Sequence, residues 1–114
     1  MKIALFGQYY QNSTAETVQK VVAFLESKKI QIAFEANFLA TLKEKNIVSK
    51  NYETYSSYNT LNTDYKALIS IGGDGTILKA ATFVRDKNIP IIGINAGRLG
   101  FLATIQFDNI EPLL

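Results

Sequence analysis

Leu68-Ile69-Ser70-Ile71-Gly72-Gly73-Asp74-Gly75-Thr76-Ile77-Leu78-Lys79 joins a short apolar run to three glycines interrupted by one carboxylate. Ala67 to Ile71 reads as a buried strand. Gly72 and Gly73 can take backbone angles closed to other residues and carry no Cβ to obstruct a ligand, so their amides can face a phosphate. The helical spacing of Ile77, Leu78, Ala81 and Val84 predicts a helix from about Gly75 or Thr76, whose first N–H groups and positive dipole end favour an anion. Asp74 stands at that mouth, where a carboxylate repels the ligand that the glycines attract. Two readings stand: Asp74 caps the helix, or it accepts a proton from a hydroxyl being phosphorylated or holds the divalent cation that neutralises the phosphates.

The flanking chain alternates strand and helix. Ile3 to Phe6 suits a short buried strand, stopped by Gly7. Ser13 and Glu16 have capping-box spacing ahead of Val18, Val21, Val22 and Leu25, which predicts a helix from Thr14 to about Lys28. Gln31 to Glu35 alternates polar and apolar residues as an edge-like strand does, and Phe38, Leu39 and Leu42 predict a shorter helix to about Lys45. The polar stretch 46–64 reads as a variable surface segment holding at least one short element; its Tyr52, Tyr55 and Tyr58 fit a helix face weakly and an edge strand equally well. Lys87-Asn88-Ile89-Pro90 is a stop, and Ile91 to Ile94 is another buried strand. This order predicts an α/β domain: a Rossmann-like, open, mostly parallel sheet with helices on both faces, its ligands beyond the carboxyl ends of the strands.

Composition narrows the chemistry. The 114 residues suit one domain, large enough for a single core but small for a complete two-substrate kinase. With 47% hydrophobic and 19% charged residues, and no apolar run near the ~20 residues of a membrane span, nothing anchors the chain to lipid. Twelve basic and ten acidic residues are spread along the sequence, which gives no nucleic-acid footprint. Zero cysteines and zero histidines remove disulfides, thiolate or imidazole metal sites and a histidine base, so any general base is a carboxylate, Lys or Tyr. The lack of cysteine and of a signal-peptide core points to the cytoplasm.

A second stretch, Gly93-Ile94-Asn95-Ala96-Gly97-Arg98-Leu99-Gly100-Phe101-Leu102, reads as a tight loop past a strand end. Either Phe101 and Leu102 open a core strand beside a solvated Arg98, or Phe101 is an apolar wall for a flat base with Asn95 as a hydrogen-bonding residue. Taken together, Gly72-Gly73-Asp74-Gly75-Thr76 and Asn95-x-Gly97-x-Leu99-Gly100-Phe101-Leu102 closely resemble the NAD kinase family, specifically its amino-terminal domain. The first motif alone is shared in similar form with diacylglycerol, sphingosine and phosphofructokinases. The second separates them, since lipid kinases typically continue into a Pro-x-Gly-Thr-x-Asn-Asp type of loop. The resemblance is specific over about residues 67–105 and lies mainly in strand and helix order upstream.

The resemblance implies phosphorylation of the adenosine-ribose 2′-hydroxyl of NAD to NADP, with ATP or another nucleoside triphosphate or polyphosphate as donor and a divalent cation such as Mg. By matching positions, Asp74 is the proton acceptor; Gly72, Gly73, Gly75 and Thr76 form the turn facing the phosphoryl donor; and Asp74, Gly75, Leu78, Lys79 and Phe101 contact NAD. No residue is matched to a protein metal site. The family also carries a second, β-rich domain, absent here, and forms homodimers or homotetramers. The chain is therefore expected to be a fragment, inactive toward NAD alone. Two other classes stay open: a nucleotide- or phosphate-binding module in which Asp74 only caps, or a lipid or sugar kinase of the same superfamily. A non-catalytic interaction domain using the tyrosine-rich segment is a further possibility.

Overall fold

The computed structural model describes residues 2–8, 12–61 and 64–94. Strands β1 (Lys2–Gly7), β2 (Gln31–Glu35), β3 (Glu53–Tyr55), β4 (Tyr65–Ile71) and β5 (Ile91–Ile94) are interleaved with helices α1 (Asn12–Ser27), α2 (Ala36–Glu44) and α3 (Asp74–Val84). The sheet order is β3-β2-β1-β4-β5 and every pairing is parallel. This is the α/β architecture that the strand and helix alternation predicts.

Side-chain alternation along the strands builds two cores. Ile3, Leu5, Ile32, Phe34 and Ile69 face α1 and α2, which cover them with Val18, Leu25 and Leu42. Ala4, Phe6, Ala33 and Leu68 face the opposite way, beneath Ala80, Phe83 and Val84 of α3. Leu5 sits between Phe34 of β2 and Ile69 of β4 and is fully buried, as is Ile69. Each such side chain contributes about 1.5–3 kcal/mol, and a one-residue slip would turn all of them to the other face, so burial fixes the register.

The topology also fixes where a ligand can enter. The chain runs from β1 outward through β2 to β3, then crosses to the other side of β1 for β4 and β5. The order reverses between β1 and β4, and in open α/β sheets ligands bind in the crevice at the carboxyl ends of the strands at such a reversal. Those ends are Gly7 and Ile71. Gly7 has no room for a side chain: a Cβ there would lie 2.7 Å from the Ile71 carbonyl oxygen and 2.7 Å from Cζ of Phe38.

Three expectations need correction. Helix α1 begins at Asn12, so Ser13 is inside it rather than the residue before it, and the proposed capping box is out of place. In α3 the periodicity is real but the buried face is Thr76, Ala80, Phe83 and Val84, while Leu78 and Ala81 are exposed. Thr76 and Ala80 hold the first two inward positions, and a polar and a small residue there masked the face in the sequence. Finally, the tyrosine-rich segment holds the short element expected of it, edge strand β3, but it is not wholly at the surface: Tyr55 is 2% exposed with its hydroxyl donating to the Leu5 carbonyl at 2.9 Å. Tyr52 packs 5.1 Å from Phe34, and Tyr58 lies on the opposite face beside Asp86, so the three tyrosines share no face.

Candidate active site

The end of β4 turns into α3 within two residues. Gly72 has φ +154°, and its amide donates to the Ile94 carbonyl at 3.0 Å, which ties the turn to the end of β5. A Cβ on Gly72 would run into Oγ1 of Thr76 and lie 3.0 Å from its Cβ, so glycine is required here by both backbone and packing. Gly73 is the N-cap, in extended conformation, and its carbonyl accepts from the amides of Thr76 (3.1 Å) and Ile77 (3.3 Å). Asp74 is thus the first helical residue, not the cap. The N-cap position that the sequence reading gave to Asp74 is therefore held by Gly73.

Thr76 locks this turn to the neighbouring strand. It is fully buried, and its hydroxyl donates to Oε1 of Gln8 at 2.9 Å. Gln8 follows β1 directly, and its amide donates to the Ile71 carbonyl at 3.3 Å. Gln8 thereby joins the two strand ends that flank the reversal. The remaining glycines differ in kind: a Cβ built on Gly73 or Gly75 meets nothing within 4 Å among the described residues. Neither has a positive φ. Both lie where the first N–H groups of a helix have no intrahelical acceptor, so this open side of the turn offers donors to an anion.

Beside the turn, the carboxyl ends of β1, β2 and β3 and the flank of α3 enclose a cleft of about 580 Å³. Its inner end is Gly7 and Gln8, its floor includes Glu35, and its α3 wall presents Lys79 and Arg85. Glu35 ends β2 and is 5% exposed; Oε2 accepts from the Asn37 amide at 3.0 Å and Oε1 from the Phe38 amide at 2.9 Å, which caps α2. At the outer rim the Tyr58 hydroxyl donates to Oδ1 of Asp86 at 2.7 Å, with the Lys87 ammonium 4.2 Å and the Arg85 guanidinium 4.8 Å from the ring centroid. The Asp86 bond pushes the Tyr58 hydroxyl pKa up, and the same bond holds Asp86 below its usual range.

Of the residues singled out in the sequence, Gly72, Gly73, Asp74, Gly75 and Thr76 form one continuous turn at the reversal. Lys79 faces the cleft one helical turn on, and Leu78 is 73% exposed beside it. Phe101, with Asn95, Gly97, Arg98 and Gly100, lies outside the described residues. No group of three or more His, Cys, Asp or Glu suited to a metal is found among the described residues. Gln8 and Glu35 were not singled out by sequence reasoning. An acid closing the second strand of a strand–helix–strand unit was the available signal for Glu35, whereas nothing local marks Gln8.

Comparison with known proteins agrees with this geometry. The family model described as the ATP-NAD kinase N-terminal domain matches residues 3–114. The NAD kinase of Flavobacterium johnsoniae is 54% identical over 114 residues, all of this chain and 39% of that protein. The NAD kinase of Bacteroides fragilis is 40% identical over the same span, again 39% of its length. A crystal structure of yeast NADH kinase complexed with NADH superposes with a TM-score of 0.69 at 16% identity, covering 99% of this chain and 36% of that one, a likeness of fold. The chain thus spans about two fifths of the length of these relatives. On its matched family model and its relatives, the chain belongs to the ATP-NAD kinase family.

Proposed function

We propose that the complete protein phosphorylates the 2′-hydroxyl of the adenosine ribose of NAD, with ATP as donor, and that this chain supplies its phosphoryl-transfer turn. The carrying observation is the pair Gly73 and Gly75, open to space on either side of Asp74 at the start of α3. Neither glycine is explained by packing or by φ among the described residues, and both are explained by a phosphate approaching the helix start.

Transfer of this kind depends on positioning and charge stabilisation more than on covalent chemistry by the protein. Gly72, Gly73, Gly75 and Thr76 form the turn that faces the donor, its shape held by Thr76 and Gln8. The 2′-oxygen bonds to the terminal phosphorus as the bond to the bridging oxygen breaks and ADP leaves; the hydroxyl proton passes to the Asp74 carboxylate. An aspartate with an unperturbed pKa of about 3.9 cannot ionise a ribose hydroxyl beforehand, so the proton moves late, once bonding to phosphorus has acidified it. NAD is held by Asp74, Gly75, Leu78, Lys79 and Phe101; the exposure of Leu78, an apolar side chain, supports its part in this reading. A divalent cation bound with the donor would supply neutralisation of the triphosphate charge, and Asp74 is the residue of the turn that would help to hold it.

The reading extends to a cytoplasmic homodimer or homotetramer completed by a second, β-rich domain, without which this chain forms no NADP. No described helix is long and apolar enough to cross a membrane. Assaying the complete protein with NAD, lipid alcohols and sugars as acceptors for MgATP tests the proposal. NADP as the product supports it, and transfer to a lipid or sugar alone replaces it.

A further inference from the structure

The cleft of about 580 Å³ has a volume suited to a nucleotide-sized ligand, and it opens beside the turn rather than on it. Its floor holds a charged side chain that capping does not fully explain. A helix start is satisfied by Ser, Thr, Asp or Asn, the preferred caps. Here the cap is the longer Glu35, buried, and set at the end of the strand next to β1. One amide on each oxygen fixes the carboxylate plane, and each oxygen keeps capacity for a second donor. Two adjacent hydroxyls are the matching ligand. Strand–helix–strand folds that bind dinucleotides place an acid near this position to accept from a ribose.

From this we infer that Glu35 accepts the 2′- and 3′-hydroxyls of the donor nucleotide's ribose, which makes the cleft the nucleoside subsite; the inference rests on the phosphotransferase reading above. The span is suitable: β2 and the turn after β4 are two strand spacings apart, about 10 Å, a distance that an extended triphosphate bridges. The acceptor's adenosine ribose cannot be the occupant, because its 2′-hydroxyl must lie at Asp74 to react.

The test is steady-state kinetics of the complete enzyme, wild type and Glu35→Gln, with MgATP and with its 2′,3′-dideoxy analogue. Wild type is expected to lose about 10–100-fold in kcat/KM on the analogue, the effect of losing hydrogen bonds to a charged acceptor. Glu35→Gln is expected to lose a similar factor on ATP, to treat the two donors nearly alike, and to keep its KM for NAD. The donor ratio is measured within one preparation, so a weakened α2 cap that reduced the folded fraction would leave it unchanged. Equal discrimination by both proteins overturns the inference, as does a raised KM for NAD with ATP unaffected, which would assign Glu35 to the acceptor. If wild type forms no NADP, the phosphotransferase reading fails by itself. Calorimetric titration with ATP and the dideoxy analogue then decides the Glu35 assignment: tighter ATP binding lost in Glu35→Gln keeps it, and indifference or no binding removes it.

Discussion

Replacing Gly75 by alanine should separate stability from activity. Gly75 is the second residue of α3, is exposed, has no positive φ, and offers open space where a Cβ would stand. Glycine within a helix costs roughly 0.5–1 kcal/mol relative to alanine, so Gly75→Ala should stabilise by about 0.5 kcal/mol, the lower end being chosen because the site is in the first turn. The same methyl group would stand where the phosphate and NAD are proposed to approach. Misplacing reacting atoms by about 1 Å can cost about 100-fold, so NADP formation should fall by about that factor. Urea unfolding of both proteins and the initial rate of NADP formation measure the two effects. A destabilised Gly75→Ala would mean that packing required the glycine; an unchanged rate would mean that no ligand occupies that space. Either outcome refutes the reasoning.

Gly72→Ala should behave in the opposite way, since its φ of +154° and the Thr76 side chain both exclude a Cβ; strain and overpacking together imply roughly 2–6 kcal/mol of lost stability, measurable by the same unfolding. Ser70 is 1% exposed, and its Oγ has no hydrogen-bond partner among the described residues, so Ser70→Ala should be neutral or stabilise by about 1 kcal/mol rather than destabilise. At high pH the tyrosines should limit stability: burial and Glu26 push Tyr52 up to about 12, and burial, with the neighbouring Glu35 and Glu53 carboxylates, raises Tyr55 and Tyr65 further. These folded-state values exceed the unfolded tyrosine value of about 10, so their contribution is complete below about pH 10 and is lost as pH rises toward 12 and beyond. Tyrosinate absorbance followed beside unfolding should show ionisation and unfolding together; three tyrosines titrating near pH 10 in the folded protein would contradict it.

What the sequence made legible follows from where the information lies. Strands β1, β4 and β5 are built on the mainly apolar runs Ile3 to Phe6, Ala67 to Ile71 and Ile91 to Ile94, and α1 and α2 bury the residues that their spacing picks out, because these signals are local. The glycine turn was legible for the same reason: its glycines, Asp74 and Thr76 adjoin one another in the chain. Strand β3 was not, because its Glu53 and Thr54 are exposed and only Tyr55 enters the core. The cleft was illegible for a different reason. Gln8, Glu35 and Lys79 come from separate segments, and only the β3-β2-β1-β4-β5 order brings their strand ends and α3 together. The N-cap position read for Asp74 shifted by one residue to Gly73, because α3 begins one residue earlier than its apolar spacing indicated.

The most direct test of the central claim is the rate of NADP formation from NAD and MgATP by the complete enzyme, wild type against Asp74→Asn. Loss of a general base at this step should lower the rate by at least about 100-fold while unfolding stays close to wild type, since Asp74 does not occupy the helix cap. An Asp74→Asn enzyme that turned over near the wild-type rate would contradict the account of the turn as the phosphoryl-transfer site.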